Sequence, residues 1–359
     1  MDALEIIQYR LVNQQIAESN LKKPEEIINC LGAMQAQEFS QAKWAIGLRL
    51  PHISESEIDN AFINGRIIRT HILRPTWHFV SPKDVRWMLS LSAPRVKAAN
   101  AFMYRKMELD DKTFRKTNTI LAKALEGGRQ LTRNSLAKEL QRKKITGDGT
   151  RLSCIMMQAE LDGIICSGAK EGKQFTYALL DEIVPPARPM KEDEALAELT
   201  KRYLNSRGPA TLKDFAVWSG LSIAQVKKGL ALAAPDFSHT NINNENYYFP
   251  PGTLDKTSSK QSIHLLPIYD EYIMGYKDRS FYFNSKYKIN PSSTYTFDNT
   301  IIINGQIAGT WKRMIHKNSI DLIYNLFKPF NKTEKKEFVF TIDQYSKFTG
   351  LPVNLKQNK

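Results

Sequence analysis

The stretch Leu31–Trp44, LGAMQAQEFSQAKW, holds two glutamines separated by one small residue, Gln35 and Gln37. An amide neither titrates nor attacks, so such a pair does chemistry only as two fixed dipoles: carbonyl oxygens aimed at one water, or amide donors at one developing charge. Geometry decides whether the two can act together. On an α-helix, residues i and i+2 point about 200° apart. On extended backbone they lie on the same side. A shared target therefore requires the helix ending near Leu31 to stop and the chain to run extended through Gln37. Gly32 suits the position just past a helix end, where left-handed backbone is common. The alternative is that GAMQAQEF continues the helix and both amides face solvent.

Signatures of other chemistries are missing. The chain has no HExxH, GxSxG, P-loop or GxGxxG after a strand, and no HxE with PCxxC of a zinc-dependent deaminase. Nor does it show the helix-hairpin-helix lysine and aspartate of many base-excision enzymes. Cys30, Cys154 and Cys166 are too few and too apolar in context for a disulfide framework or zinc ribbon. No metal and no organic cofactor is expected.

The second segment with chemical potential is IIRTHILRPTWHFV, residues 67–80, which reads as a β-hairpin. Ile68, Ile72, Trp77 and Phe79 are expected to pack inward. Arg69 and Arg74 offer guanidinium forks that match phosphate oxygens. His71 is a candidate to face a phosphate or lesion; His78 is the weaker candidate. Asp270 and Glu271 suggest paired carboxylates, but neighbours diverge, so only one reaches any given site; pairing of Asp270 with Arg279 or a backbone amide is the structural expectation. Asn304 and Gln306, at an Asn-Gly turn, are candidates to probe a DNA groove.

The elements that must hold these residues have a recurring pattern. From Asp193 to Pro250 an amphipathic helix is followed by two short ones joined at Gly220, with Thr211 and Ser222 as N-caps, and then by NYYFPP as a strand. From Thr117 to Leu180 the same order recurs, with Thr132 as a cap and a hairpin in GAKEGKQFTYALL. A fainter copy occupies Leu4–Val80, with helices at EEIINCLG and KWAIGLRL and a Ser54-x-x-Glu57 capping box. After Pro250 the pattern turns to β: Asn304-Gly305 signals a type I′ hairpin, and FVFTIDQYSKFTGLPV reads as a last strand and a short helix. The expected fold is α+β: tandem winged-helix modules over residues 1–115, 116–185 and 186–255, then a β-rich domain over 256–359.

Charge points to the partner. The 359 residues carry 51 Lys+Arg against 37 Asp+Glu, a formal net charge of +14. The excess is concentrated: Lys83 to Arg151 contains 17 basic and 7 acidic residues. A basic stretch in a folded chain favours a polyanion, first of all nucleic acid. Arg133, Arg151, Lys312 and Arg313 join the candidate DNA contacts. The N-terminus lacks the order of a signal peptide and no apolar run reaches about 18 residues, so a cytoplasmic, reduced protein with no membrane contact is expected. No heptad or other evident dimer face is present, which favours a monomer.

Taken in order, Leu31-Gly-x-x-Gln35-x-Gln37, Arg69-Thr-His71-x-x-Arg74-x-Thr-x-His78, Leu265-Leu-Pro-x-Tyr-Asp270-Glu-Tyr through Lys277-Asp-Arg279, and Gly309-Thr-Trp311-Lys312-Arg313 resemble the AlkZ-like DNA glycosylase family over almost the whole chain. Pro75 stands where the family pattern suggests glycine. The resemblance implies tandem winged helices with an appended β domain. It further implies excision of bulky or crosslinked alkylated purines by a Gln-x-Gln or Gln-x-Asp pair, and Gln37 places the chain in the Gln-x-Gln branch. The chemistry is consistent. Most sugar-cleaving enzymes use two carboxylates, one to protonate the leaving group, but an N7-alkylated purine is already cationic and departs neutral. What remains is to hold water against C1′ and stabilise an oxocarbenium-like sugar, which amide oxygens and DNA phosphates can do. The expectation is a monofunctional DNA glycosylase acting on duplex DNA, with no lysine placed for a Schiff base. The rival readings are a non-enzymatic winged-helix regulator, which would usually dimerise on palindromic sites, and an RNA-binding or chromatin-associated module, for which aromatic-rich RNP signatures are missing.

Overall fold

A computed structural model describes residues 1–146, 149–252, 262–284 and 298–358. The first segment runs α1 (Ala3–Asn13), α2 (Pro24–Leu31), β1 (Ala33–Gln35), α3 (Phe39–Gly47), α4 (Glu55–Ile63), β2 (Ile68–His71) and β3 (Trp77–Val80), closed by a long α5 (Val85–Lys106). Its sheet has the order β1-β3-β2, so β1 lies on an edge, antiparallel to β3 with Gln35 opposite His78. The Ser54 capping box forms at the start of α4 as its spacing predicts.

The next segment comprises α6 (Asp111–Leu125), β4 (Leu131–Thr132), α7 (Arg133–Arg142), α8 (Gly149–Leu161), the hairpin β5 (Ile165–Glu171)–β6 (Gln174–Leu179) and a one-turn α9 (Leu180–Ile183). Then come α10 (Glu192–Arg207), α11 (Leu212–Ser219), α12 (Ile223–Ala233) and the hairpin β7 (Ser238–Ile242)–β8 (Glu245–Phe249). Thr132, Thr211 and Ser222 each accept the N3 amide of their helix, and Gly220 closes α11 in the left-handed region at φ 71°.

The C-terminal segment holds β9 (Ile263–Leu266), α13 (Glu271–Met274), β10 (Thr300–Ile303), β11 (Gln306–Ile315), β12 (Ile320–Leu326), α14 (Lys332–Thr349) and β13 (Val353–Gln357). Its sheet has the order β13-β12-β11-β10-β9, with β13 parallel to β12. Asn304 and Gly305 both take positive φ at the β10–β11 turn, as a type I′ hairpin requires.

Two expectations need correction. FVFTIDQYSKF is the body of the 18-residue helix α14, and the strand follows it. Its aromatic and β-branched residues suggest β locally, but Phe338, Ile342, Tyr345 and Phe348 recur at helical spacing and bury one face. The 22-residue α5, with Pro94 inside it, was not foreseen.

Three large cores organise the described residues. One gathers side chains from α1, β2, α5, α10, α11 and α13, another joins α2, α3 and α4 to β9, β11 and α14, and a third lies within α6, α7, α8 and β6. Strand β1 separates the first two: Ala33 belongs to one, Met34 to the other.

Candidate active site

Helix α2 stops at Leu31 because Gly32 takes φ 76°, and the chain leaves extended. Strand alternation then sorts the side chains: Met34 and Ala36 enter the core beside Phe79, and Gln35, opposite His78, takes the other side, with Gln37 following just past the strand's end. The helical alternative for this segment is thereby excluded. Beyond Gln35 the pairing carries on for one more bond, from the Ala36 N–H to the Trp77 carbonyl at 2.7 Å.

Each amide oxygen has one protein donor. Arg74 Nη2 donates to Gln35 Oε1 at 3.2 Å, and the Trp77 backbone N–H points to Gln37 Oε1 at a long 3.5 Å. Gln35 is 8% exposed, whereas Gln37 is half-buried at the rim. Arg74 reaches inward from the β2–β3 loop, which closes by two three-residue turns, Arg74 N–H to Ile72 O and Thr76 N–H to Arg74 O, both 2.7 Å. Pro75 centres the second turn, where its fixed φ fits the inverse γ-turn.

His78 lies fully buried beneath Arg74. Its Nδ1 lies 2.9 Å from the Thr76 carbonyl and its Nε2 3.4 Å from Arg74 Nη2, so the neutral Nδ1–H tautomer satisfies both neighbours. Burial, then the Arg74 charge, pushes this imidazole down to about 3. His71 pairs through Nδ1 with the fully buried Glu160 of α8, whose other oxygen accepts from Trp77 Nε1 at 3.1 Å. The His71 and Trp77 rings are 4.4 Å apart. Glu160 thus ties the second unit to the hairpin of the first.

Arg69 corrects an expectation. It is not an exposed fork for phosphate: it is buried, donates to Ala36 O at 3.0 Å and Ser167 Oγ at 3.1 Å, and lies between Trp77 and Phe175 at 4.6 Å from each ring. Burial lowers its pKa to about 10, still cationic at neutral pH. Its role is to brace the residue between the two glutamines.

The outer edge of β1 is closed by two charged side chains. Arg207, the last residue of α10, donates to Leu31 O at 2.7 Å and Ala33 O at 3.0 Å. Glu271 accepts the Gln35 N–H on Oε1 at 2.8 Å, and on Oε2 accepts from Arg207 Nη2 at 2.6 Å and Trp218 Nε1 at 2.8 Å. Asp270 turns the other way, to Arg49 at 2.8 and 2.9 Å and to the Tyr272 amide at 2.8 Å. The backbone-amide half of the Asp270 expectation therefore holds, while its cation is Arg49; Arg279 donates instead to Ile273 O.

Gln37, Arg69 and Trp77 line an open groove of about 820 Å³ between the first two units, together with Arg133, Asn134, Leu152, Phe175 and Tyr177. Arg133 is half-buried, bonded to Gly149 O at 2.9 Å and Ser153 Oγ at 2.8 Å. The other expected DNA contacts are not gathered at this groove. Arg151 braces the α5–α6 turn through Met107 O, and Arg313 bonds Tyr345 Oη at 2.5 Å and Ser40 Oγ at 2.9 Å. Lys312 is exposed on β11. Asn304 and Gln306 are engaged within the C-terminal segment: Asn304 Oδ1 accepts the Ser262 N–H at 3.0 Å, and Gln306 Oε1 accepts from Asn284 at 3.1 Å. A Cβ on Gly305 would lie 2.2 Å from Ile7, so this turn is seated on α1, not free to enter a groove. Sequence reasoning missed Glu160 and Arg207 and underrated Glu271 and His78; their partners lie too far along the chain to leave a local signal.

By sequence the chain falls into a class of enzyme that hydrolyses N-glycosyl bonds. It belongs to the AlkZ-like DNA glycosylase family, described as "DNA glycosylase AlkZ-like", whose model matches residues 28–348. A curated relative from Streptomyces sahachiroi, an "Interstrand DNA cross-link repair glycosylase", is 22% identical over 284 residues, 76% of either chain. The solved structure of "Streptomyces sahachiroi DNA glycosylase AlkZ" superimposes with a TM-score of 0.81 at 18% identity, covering 99% of both chains, and so shares the mixed α/β fold. Among the described residues no helix is long and apolar enough to cross a membrane.

Proposed function

We propose that this glycosylase removes alkylated purines, N7-alkylated and with room for bulky or crosslinked adducts, from duplex DNA by water held between Gln35 and Gln37. The observation that carries the reading is the exit of the chain from helix α2 into the short strand that bears Gln35, with Gln37 two residues further on lining a cationic, aromatic groove. An amide oxygen has two lone pairs. With one engaged by Arg74 or Trp77, each keeps a second for the same water. The cationic base leaves without a general acid, so what remains is to orient the water and to stabilise positive charge on the sugar, to which the DNA phosphates contribute. Trp77, Phe175 and Tyr177 offer faces for the extruded base or its adduct, and Arg133 a donor for backbone phosphate.

In this reading the helix–helix–hairpin units over residues 1–115, 116–185 and 186–255 act as winged helices around the duplex, with residues 256–359 as the appended β domain, and one copy of the chain suffices. The test is release of N7-alkylguanine from a defined duplex under single-turnover conditions. Gln35→Ala and Gln37→Ala should each slow release on the order of 10²–10³-fold with DNA binding intact. Release unaffected by both substitutions, or none by the wild type across several adducts, would leave a DNA-binding protein without this chemistry.

A further inference from the structure

An edge strand presents outward N–H and C=O groups that a neighbouring strand would normally pair. Among the described residues strand β1 has no such neighbour; its order in the sheet is β1-β3-β2. Its outward groups are instead met, in sequence, by one ion pair: Arg207 donates to Leu31 O and Ala33 O, and Glu271 accepts from the Gln35 N–H. Arg207 and Glu271 are joined to each other at 2.6 Å and both are fully buried. Together they reproduce the alternating acceptor and donor of a β ladder.

We propose that Glu271 is a positioning residue for hydrolysis: with Arg207 it replaces the missing strand and fixes the backbone from which the Gln35 amide is aimed. The proposal rests on the base-release reading above. Glu271 touches no reacting atom in it. Its two oxygens receive three donors from α10, α11 and β1, so the strand's register depends on a carboxylate from the far end of the chain. An amide at this position cannot serve all three, because it has one acceptor atom. Its carbonyl is held by the charged Arg207 and by Trp218, which turns its NH2 onto the Gln35 N–H. Glu271→Gln therefore damages the strand at the residue that matters while keeping size and shape.

The experiment is a double-variant cycle with the full chain and a duplex carrying one N7-alkylguanine, reading single-turnover release and DNA affinity separately. Glu271→Gln should slow release roughly 10²-fold, as loss of an oriented dipole does, with affinity within about threefold. In the Gln35→Ala background the same change should add less than about threefold, because the side chain it aims is already gone. If Glu271→Gln shows no cooperative unfolding, Glu271→Asp takes its place under the same criteria; it keeps both oxygens but is one methylene too short to span Arg207 and Gln35. A positioning role is overturned by release within threefold of wild type, or by losses that multiply in the double variant. If the wild type releases no base, the activity itself falls and this role with it; active wild type with multiplying losses removes only the role of Glu271.

Discussion

His78 is a buried base directly below the arginine that holds Gln35, and its environment makes a measurable demand on pH. The folded imidazole titrates near 3, the unfolded one near 6.5. A base with a depressed folded pKa contributes stability that is present above its unfolded value and lost as pH falls toward the folded one. His78 alone should therefore cost about 1 kcal/mol between pH 6.5 and 5.5, before most carboxylates titrate, and His264, which burial pushes down to about 4, adds a loss over the same range. Thermal melts across this range measure it, and His78→Asn should flatten the slope. Glu271, held below the ordinary carboxylate range by Arg207 and Arg74 against its burial, adds its own loss only below about 4.5. At this scale the sequence could single out Gln35 and Gln37 because they lie two residues apart, so local backbone geometry alone decides whether they can share a side. It was uninformative about Glu160 and Arg207. Buried polar pairs join residues 64 and 89 positions apart, and nothing local marks either partner.

Among the elements, the hairpin that carries Arg74 is positioned by a turn in another unit. Gly220, which ends α11, lies so close that a Cβ would meet the Leu73 carbonyl at 2.5 Å, and its φ of 71° is itself hostile to a side chain. Leu73 also takes a positive φ, of 63°, with its N–H on Ser92 Oγ at 3.1 Å. Gly220→Ala should cost on the order of 1–3 kcal/mol and displace the hairpin. Both a lower melting temperature in scanning fluorimetry and slower base release are expected; a normal melt with normal release would remove the coupling. Caps, turns and amphipathic helices were legible because Ser, Thr and Gly act through their own backbone. The C-terminal helix was misread because side-chain propensity, a weak guide, was weighed above the 3.6-residue period of its buried face.

For the whole molecule, charge was the most direct message of the sequence. The basic run from Lys83 to Arg151 lies mainly on α5, α6 and α7, where Arg95, Arg105, Lys106, Lys116, Lys138 and Arg142 are exposed. If about 6–10 phosphates are neutralised, a log–log plot of DNA affinity against salt should have a slope between about −5 and −9. A slope near zero would locate recognition elsewhere than the phosphate backbone. Composition shows how much charge a chain has, and the burial of Arg10, Arg49, Arg69 and Arg207 shows why it cannot show which cations are free.

The ion pair that closes β1 also sets an order of assembly. The ribosome delivers the two glutamines first, Arg207 170 residues after Gln37 and Glu271 a further 64 residues on. A polypeptide that stops short of Glu271 already carries its basic helices, yet the strand that bears Gln35 lacks half of the pair that closes its edge. A chain that stalls before Glu271 is therefore left with that edge open.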